Sequence, residues 1–105
     1  MSYKWPDKDP DEIVDYSVDW SRFLDTDSVS SVAWYINAAD GTKTLVADGN
    51  TVNGLQLVQR SNTATVATAR FALGTRNVRY TITCAVTTSA GLLYERSIFL
   101  RAREK

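Results

Sequence analysis

The chain has 105 residues, enough for one domain with a single core, and 44% of them are apolar, a fraction typical of a globular protein. Twelve basic residues balance twelve acidic ones, so no net charge attracts the chain to nucleic acid or to an anionic membrane. No segment approaches the ~20 apolar residues of a membrane span, the N-terminus lacks the apolar stretch of a signal peptide, and a single cysteine excludes an internal disulfide.

The first twelve residues, 1–12, are predicted to form a polar arm in front of a single domain that spans 13–105. Within the arm, Asp9-Pro10-Asp11-Glu12 has a cap residue, a proline at the first helical position and a carboxylate three residues after the cap, which together indicate a helix start. Because β-branched residues follow at once and lead into an alternating strand, we expect a single turn there.

Three residues of the arm are candidate contacts for a partner. Tyr3, Trp5 and Pro6 precede any predicted strand, and nothing in the local pattern buries the two rings. Aromatic side chains beside a stiff proline are typical of a docking peptide. The alternative is that the arm folds back and covers an open end of its own domain. We expect the arm to order on a partner, since its charges and two prolines give it little to bury on its own domain.

The remainder of the chain is predicted to be almost entirely β-strand. Alternation of apolar and polar residues indicates strands at 16–20, 32–36, 78–87 and 98–102. The pair Leu55 and Leu57 suggests one short strand, and 43–47 fits either a strand or a loop. The segment 65–73 is rich in β-formers but breaks phase between Val66 and Phe71, which predicts a bulge near 67–69.

Turn signals such as Asp40-Gly41 and Asn53-Gly54 separate these segments. About seven short strands with this spacing favour a two-sheet β-sandwich over a barrel. Trp20 and Trp34 are in phase with the apolar faces of their strands and are predicted to face one another in the core. A single turn at 21–24 is expected to close the first strand, with Phe23 or Leu24 folded under it.

The sequence shows no motif that is typical of a catalytic site. Histidine, the commonest general base and metal ligand, is absent. Cys84 is in phase with the apolar residues of its strand, so we interpret it as a small core residue without reactivity. The acidic run in the arm fails as a calcium loop because Glu12 occupies the position that requires glycine. We therefore expect no catalytic residue, no cofactor and no metal site.

Both ends of the chain carry a recognisable pattern. Lys-Asp-Pro-Asp at 8–11 precedes a Tyr-x-x-Asp-Trp strand at 16–20, and Thr-Ser-Ala-Gly at 88–91 precedes a closing Glu-Arg-Ser-Ile-x-Leu-Arg-x-Arg-Glu-Lys at 95–105. The pattern, over almost the whole chain, resembles the small immunoglobulin-like virion proteins of tailed bacteriophages that are described as fiber-tail adaptor proteins. The resemblance implies an all-β, immunoglobulin-like sandwich of about seven antiparallel strands with a short N-terminal arm. Tyr80, near the start of its strand, resembles the tyrosine corner of such sandwiches, in which the hydroxyl satisfies a buried loop.

The resemblance also implies a non-enzymatic structural role, joining tail or neck components such as fibers through protein–protein contacts. The implied partners are other phage structural proteins, with a homo-oligomer on the particle as a further option and with no nucleic acid or membrane. The protein would be made in the host bacterial cytoplasm and reside in the virion. Tyr35, Tyr94 and Phe99 lie on nominally exposed strand faces and are candidates for a contact patch.

Two alternatives stay open. One is a capsid decoration or stabilising protein, for which compact β-domains with an N-terminal arm are also suited. The other is a carbohydrate-binding β-sandwich, which would require Tyr35, Tyr94 and Phe99 to line one exposed platform.

Overall fold

The structure is a computed structural model that describes residues 3–103, and of Tyr3 only the backbone. The described chain is built from short β-strands, with one single-turn helix between the second and third. In chain order the elements are β1 (Tyr3–Lys4), β2 (Val14–Asp19), α1 (Ser21–Leu24), β3 (Val29–Asn37), β4 (Lys43–Val46), β5 (Thr51–Val52), β6 (Leu55–Asn62), β7 (Val66–Leu73), β8 (Arg79–Thr88) and β9 (Leu93–Arg101).

The strands form two sheets that enclose one core, so the predicted all-β sandwich is confirmed. One sheet has the order β1-β9-β8-β3-β4 and the other β2-β7-β6-β5. All neighbours are antiparallel except β1, which pairs in parallel with β9. The order agrees with the B-E-D and G-F-C-C′ strands of immunoglobulin-like sandwiches, although the immunoglobulin-like class itself stays a prediction.

The predicted alternation places the core residues correctly. Tyr16, Val18 and Trp20 are buried, and Trp34 and Ile36 are fully buried in the facing sheet. The expected facing pair of tryptophans is wrong, however. Trp34 lies against the rings of Trp5 and Phe71, whereas Trp20 lies against those of Phe23 and Tyr94.

The predicted bulge lies in the neighbouring strand. In β7, the side chains of Ala67, Ala69 and Phe71 are all buried in one unbroken phase, and Val66 is on the other face. The register shifts in β6 instead, between Leu57 and Gln59. The sequence misled because Val66 is large and apolar although it faces outward, while the inward positions are small alanines.

The loops around Asn53 and Thr75 are held together by Tyr80 and by the conformation of Gly54. The Tyr80 hydroxyl donates to the Asn53 carbonyl at 2.8 Å and accepts from the Thr75 N–H at 2.7 Å, so it satisfies two backbone groups of partly buried loops. Gly54 has a φ of +84°, and a Cβ there would collide with the Thr75 hydroxyl. Leu24 of α1 is buried under the end of β2, as predicted, while Phe23 is 41% exposed.

The arm is hydrogen-bonded to the last strand, so the expectation that it has little to bury on its own domain is wrong. The Trp5 N–H donates to the Phe99 carbonyl at 2.9 Å, and the Lys8 N–H donates to the Arg101 carbonyl at 3.0 Å. Farther along, the Arg103 N–H donates to the Lys8 carbonyl at 2.8 Å. The arm thus supplies the parallel edge strand β1, which lies next to β9 in the five-stranded sheet.

Lys8 explains how a polar arm can be docked. Its side chain is fully buried, and its Nζ donates to the carbonyls of Leu73 at 2.7 Å and Asp9 at 2.9 Å. The long aliphatic stem buries apolar area while the charged end keeps hydrogen-bond partners. The predicted single turn follows directly, with Glu12 Oε1 accepting from the Asp9 N–H and Asp9 Oδ1 accepting from the Asp11 N–H, both at 2.9 Å.

Candidate partner-binding surface

The outer face of the five-stranded sheet brings two of the candidate aromatic residues together. Tyr35 of β3 lies opposite Thr83 of β8, which in turn lies opposite Ser97 of β9. Phe99 is two residues beyond Ser97 on the same face, because side chains two apart on a strand point the same way. Tyr35 and Phe99 therefore flank β8 on one surface, called the outer face below.

The centre of the outer face is lined by small side chains. Ala33 of β3 lies opposite Ala85 of β8, next to the row that contains Thr83. Ala85 is 6% exposed and Thr83 is 5% exposed, although both point away from the core. Their low exposure indicates that larger neighbouring side chains cover much of both residues.

Exposed leucines extend the outer face at two places. Leu45 of β4 lies opposite Tyr35 and is 60% exposed, and Leu93 of β9 lies opposite Thr87 and is 65% exposed. These residues were not singled out from the sequence. Each leucine points to the same side of the sheet as an outward-facing neighbour. Which side faces outward, however, is known only once the strand register is known.

Cations lie over both aromatic rings of the outer face. The Lys43 Nζ is 4.7 Å from the ring centroid of Tyr35 and also 3.3 Å from Glu95 Oε1. The Arg79 guanidinium is 4.6 Å from the ring centroid of Phe99. Such exposed contacts contribute only about 0.5–1 kcal/mol each, but they restrict ring orientation. A depression of about 280 Å³ lies beside Tyr35, lined by Asn37, Gly41, Lys43, Thr81, Thr83 and Ser97.

Tyr94 does not belong to this surface, which corrects the expected three-residue patch. It lies opposite Val86 and shares the parity of Ile98 and Leu100, so it points inward. Its ring centroid is 6.4 Å from that of Trp20. The single platform that the carbohydrate-binding alternative required is therefore not formed by Tyr35, Tyr94 and Phe99.

The candidate residues of the arm are separate from the outer face. Trp5 is partly buried and stacks on Tyr16, with centroids 4.7 Å apart and planes inclined by 19°. Pro6 is exposed, and its carbonyl accepts from the Tyr16 hydroxyl at 3.1 Å. The Tyr3 side chain lies outside the described residues. The ring of Trp5 is thus largely occupied by its own domain, whereas the side chain of Pro6 remains accessible.

Two buried titratable groups, Cys84 and Tyr16, have pKa values shifted away from reactivity. Burial raises the pKa of the Cys84 thiol to about 12, so the thiolate needed for nucleophilic attack is scarce at neutral pH. Burial, with the nearby carboxylates of Glu12 and Asp7, raises the pKa of Tyr16 to about 12. Among residues 3–103, acidic and cysteine side chains form no cluster of three that suits a metal ion. No helix in this part of the chain is long and apolar enough to span a membrane.

Comparison with known protein families gives a match over most of the chain. The family described as podophage GP4 fiber-tail adaptor protein gp77 matches residues 8–101. The matched segment begins at the buried Lys8 and ends with the last residue of β9, so it contains both sheets except the two-residue strand β1. A search of curated proteins finds no match.

Proposed function

The chain belongs to the podophage GP4 fiber-tail adaptor family, and from that premise we propose that it joins tail and fiber components of the virion through the outer face of its five-stranded sheet. An adaptor acts by holding partners together, so it needs a rigid scaffold and a contact surface rather than catalytic groups. On this proposal the protein is non-enzymatic and its partners are other phage structural proteins.

The observation that carries the proposal is the combination of Tyr35 and Phe99 on one shallow face. Aromatic residues are enriched in the buried centres of protein–protein interfaces because they contribute large contact area at little entropic cost. The small residues Ala33, Ala85 and Thr83 lie between them, and Thr83 lines the depression beside Tyr35. Glu95 pairs with Lys43 at 3.3 Å, whereas Arg79 over the Phe99 ring keeps its charge, so the face carries positive charge next to Phe99.

The proposal is tested by placing a charge on the outer face. Tyr35→Glu or Phe99→Glu would bury a carboxylate in the contact, and each variant should fail to enter particles when it replaces the normal chain during infection. Gln59→Glu is the matched control, because Gln59 is exposed on the other sheet. Mass spectrometry of purified virions measures incorporation. Normal incorporation of both outer-face variants would overturn the proposed surface, provided that circular dichroism shows all variants to be folded.

The capsid decoration alternative differs from the adaptor role in where the chain lies on the virion, not in the kind of protein–protein contact that it makes. The same infection experiment separates the two if tails are purified apart from heads. Recovery of the chain with the tails supports the adaptor role, and recovery with empty capsids supports decoration.

A further inference from the structure

A cleft at the open side of the sandwich forms a second candidate contact, separate from the outer face. It lies where the arm and β9 in one sheet approach β2 and α1, and its volume is about 320 Å³. Its described lining residues include Lys4, Ser17, Asp19, Arg22, Phe23 and Arg96.

The cleft is positively charged although the chain as a whole is neutral. Three of the lining residues, Lys4, Arg22 and Arg96, are cationic, against one acidic residue, Asp19, although Lys4 also forms an ion pair with Asp7 at 3.9 Å. The Asp19 carboxylate already accepts the Ser21 N–H at 2.9 Å, a hydrogen bond that lowers its pKa. The local excess of positive charge favours an occupant that carries carboxylates.

One of these cations is held in a fixed orientation. The Arg96 guanidinium lies 4.6 Å from the ring centroid of Phe23 and 5.5 Å from that of Trp20. Stacking on aromatic rings restricts the orientation of the planar group, and the fork of donors on a guanidinium matches the geometry of a carboxylate. Phe23 also contributes exposed apolar area beside the cation.

Backbone groups of β2 also face the cleft. The Trp20 N–H donates to the Thr65 carbonyl at 2.8 Å, towards β7. Because the direction of backbone groups alternates along a strand, those of Ser17 and Asp19 point away from β7. Among the described strands, β2 pairs only with β7, so this edge offers hydrogen-bonding groups beside the cationic side chains. An added strand is a common means by which one protein binds an extended segment of another.

We propose that the cleft binds an extended acidic segment of another virion protein, which adds to the free edge of β2 and places carboxylates against Arg22 and Arg96. The proposal rests on the adaptor role only for the source of that segment. It gives the adaptor two contacts: the outer face for one component and the cleft for the acidic segment of another.

A peptide titration tests the cleft without knowledge of the partner. The ¹⁵N-labelled full chain is titrated with the blocked hexapeptide Glu-Val-Glu-Thr-Glu-Val, and separately with the same peptide carrying lysine for each glutamate. We expect saturable amide shifts confined to 17–23 and to Arg96 with the acidic peptide alone. Arg22→Glu should weaken binding about tenfold or more, because it replaces a charged hydrogen-bond donor by a carboxylate that repels the carboxylates of the peptide. Arg101→Glu, an exposed arginine outside the lining residues, should leave the affinity unchanged.

Three results would overturn the proposal: no saturable shifts, equal shifts with the lysine peptide, or equal shifts with sodium acetate at the same carboxylate concentration. Should Arg22→Glu fail to fold, Phe23→Ala removes the ring beneath Arg96 and should weaken acidic-peptide binding instead. The outcome is independent of the outer face. Loss of incorporation on changing Tyr35 or Phe99, with no peptide bound in the cleft, would refute only this inference.

Discussion

Replacing Trp5 by alanine should destabilise the domain substantially, because the arm supplies part of the core. Deletion of a fully buried large aromatic costs about 3–5 kcal/mol. Trp5 is only partly buried, but it stacks on Tyr16 and approaches the rings of Trp34 and Phe71, each at 6.2 Å between centroids. We therefore expect a loss of about 2–3 kcal/mol, of which the stacked pair contributes about 0.5–1.5 kcal/mol.

For a domain of this size, that loss corresponds to a decrease in Tm of about 8–12 °C. Thermal unfolding followed by far-ultraviolet circular dichroism measures it, with Lys4→Ala as control. The Lys4 side chain is 69% exposed and forms a long, 3.9 Å ion pair with Asp7, so its removal should change stability by less than about 0.5 kcal/mol. Equal Tm values for the two variants would contradict the claim that the arm packs into its own core. They would support instead an arm that orders only on a partner.

Three other predictions concern the core, a loop and the charged surface. Cys84→Val should fold and assemble normally, and thiol reagents should label the native protein slowly; rapid stoichiometric labelling would contradict the burial of the thiol. Tyr80→Phe should lose about 1–3 kcal/mol in urea unfolding, since it leaves a loop carbonyl and a loop N–H without their partner; an unchanged urea midpoint would show those groups satisfied in another way. Hydrogen bonds from nearby residues lower the pKa values of Asp27 and Asp40 below their ordinary 3.8. As the pH falls, the unfolded chain therefore binds protons before the folded chain does, and the free energy of unfolding should decrease below about pH 4. A free energy of unfolding that does not change in this acid range would contradict these hydrogen bonds.

The sequence predicts the sandwich well because period-2 alternation reports directly which face of a strand is buried. The phases of Trp34, Cys84 and Leu100 follow from alternation alone. The direction of Tyr94 also follows from it, because Tyr94 has the parity of Ile98. It was misassigned because the start of β9 is mostly polar, so the apolar pattern becomes clear only from Ile98 onward.

The arm illustrates what alternation cannot supply. Lys8 is a charged residue in a polar segment, and its burial depends on the Leu73 carbonyl, which is 65 residues away in the chain. The parallel pairing of Tyr3–Lys4 with β9 is likewise a long-range contact without a local signature. The cleft formed by the arm, β2, α1 and β9 was missed for the same reason, since its cations lie at distant positions in the sequence.

The most direct test of the adaptor role is a cryo-electron microscopy reconstruction of the phage tail that contains this chain. The account predicts density for the domain between a tail component and a fiber component, with Tyr35 and Phe99 covered by another protein. A reconstruction in which the outer face points into solvent, or in which the chain is bound to the capsid shell, would contradict it.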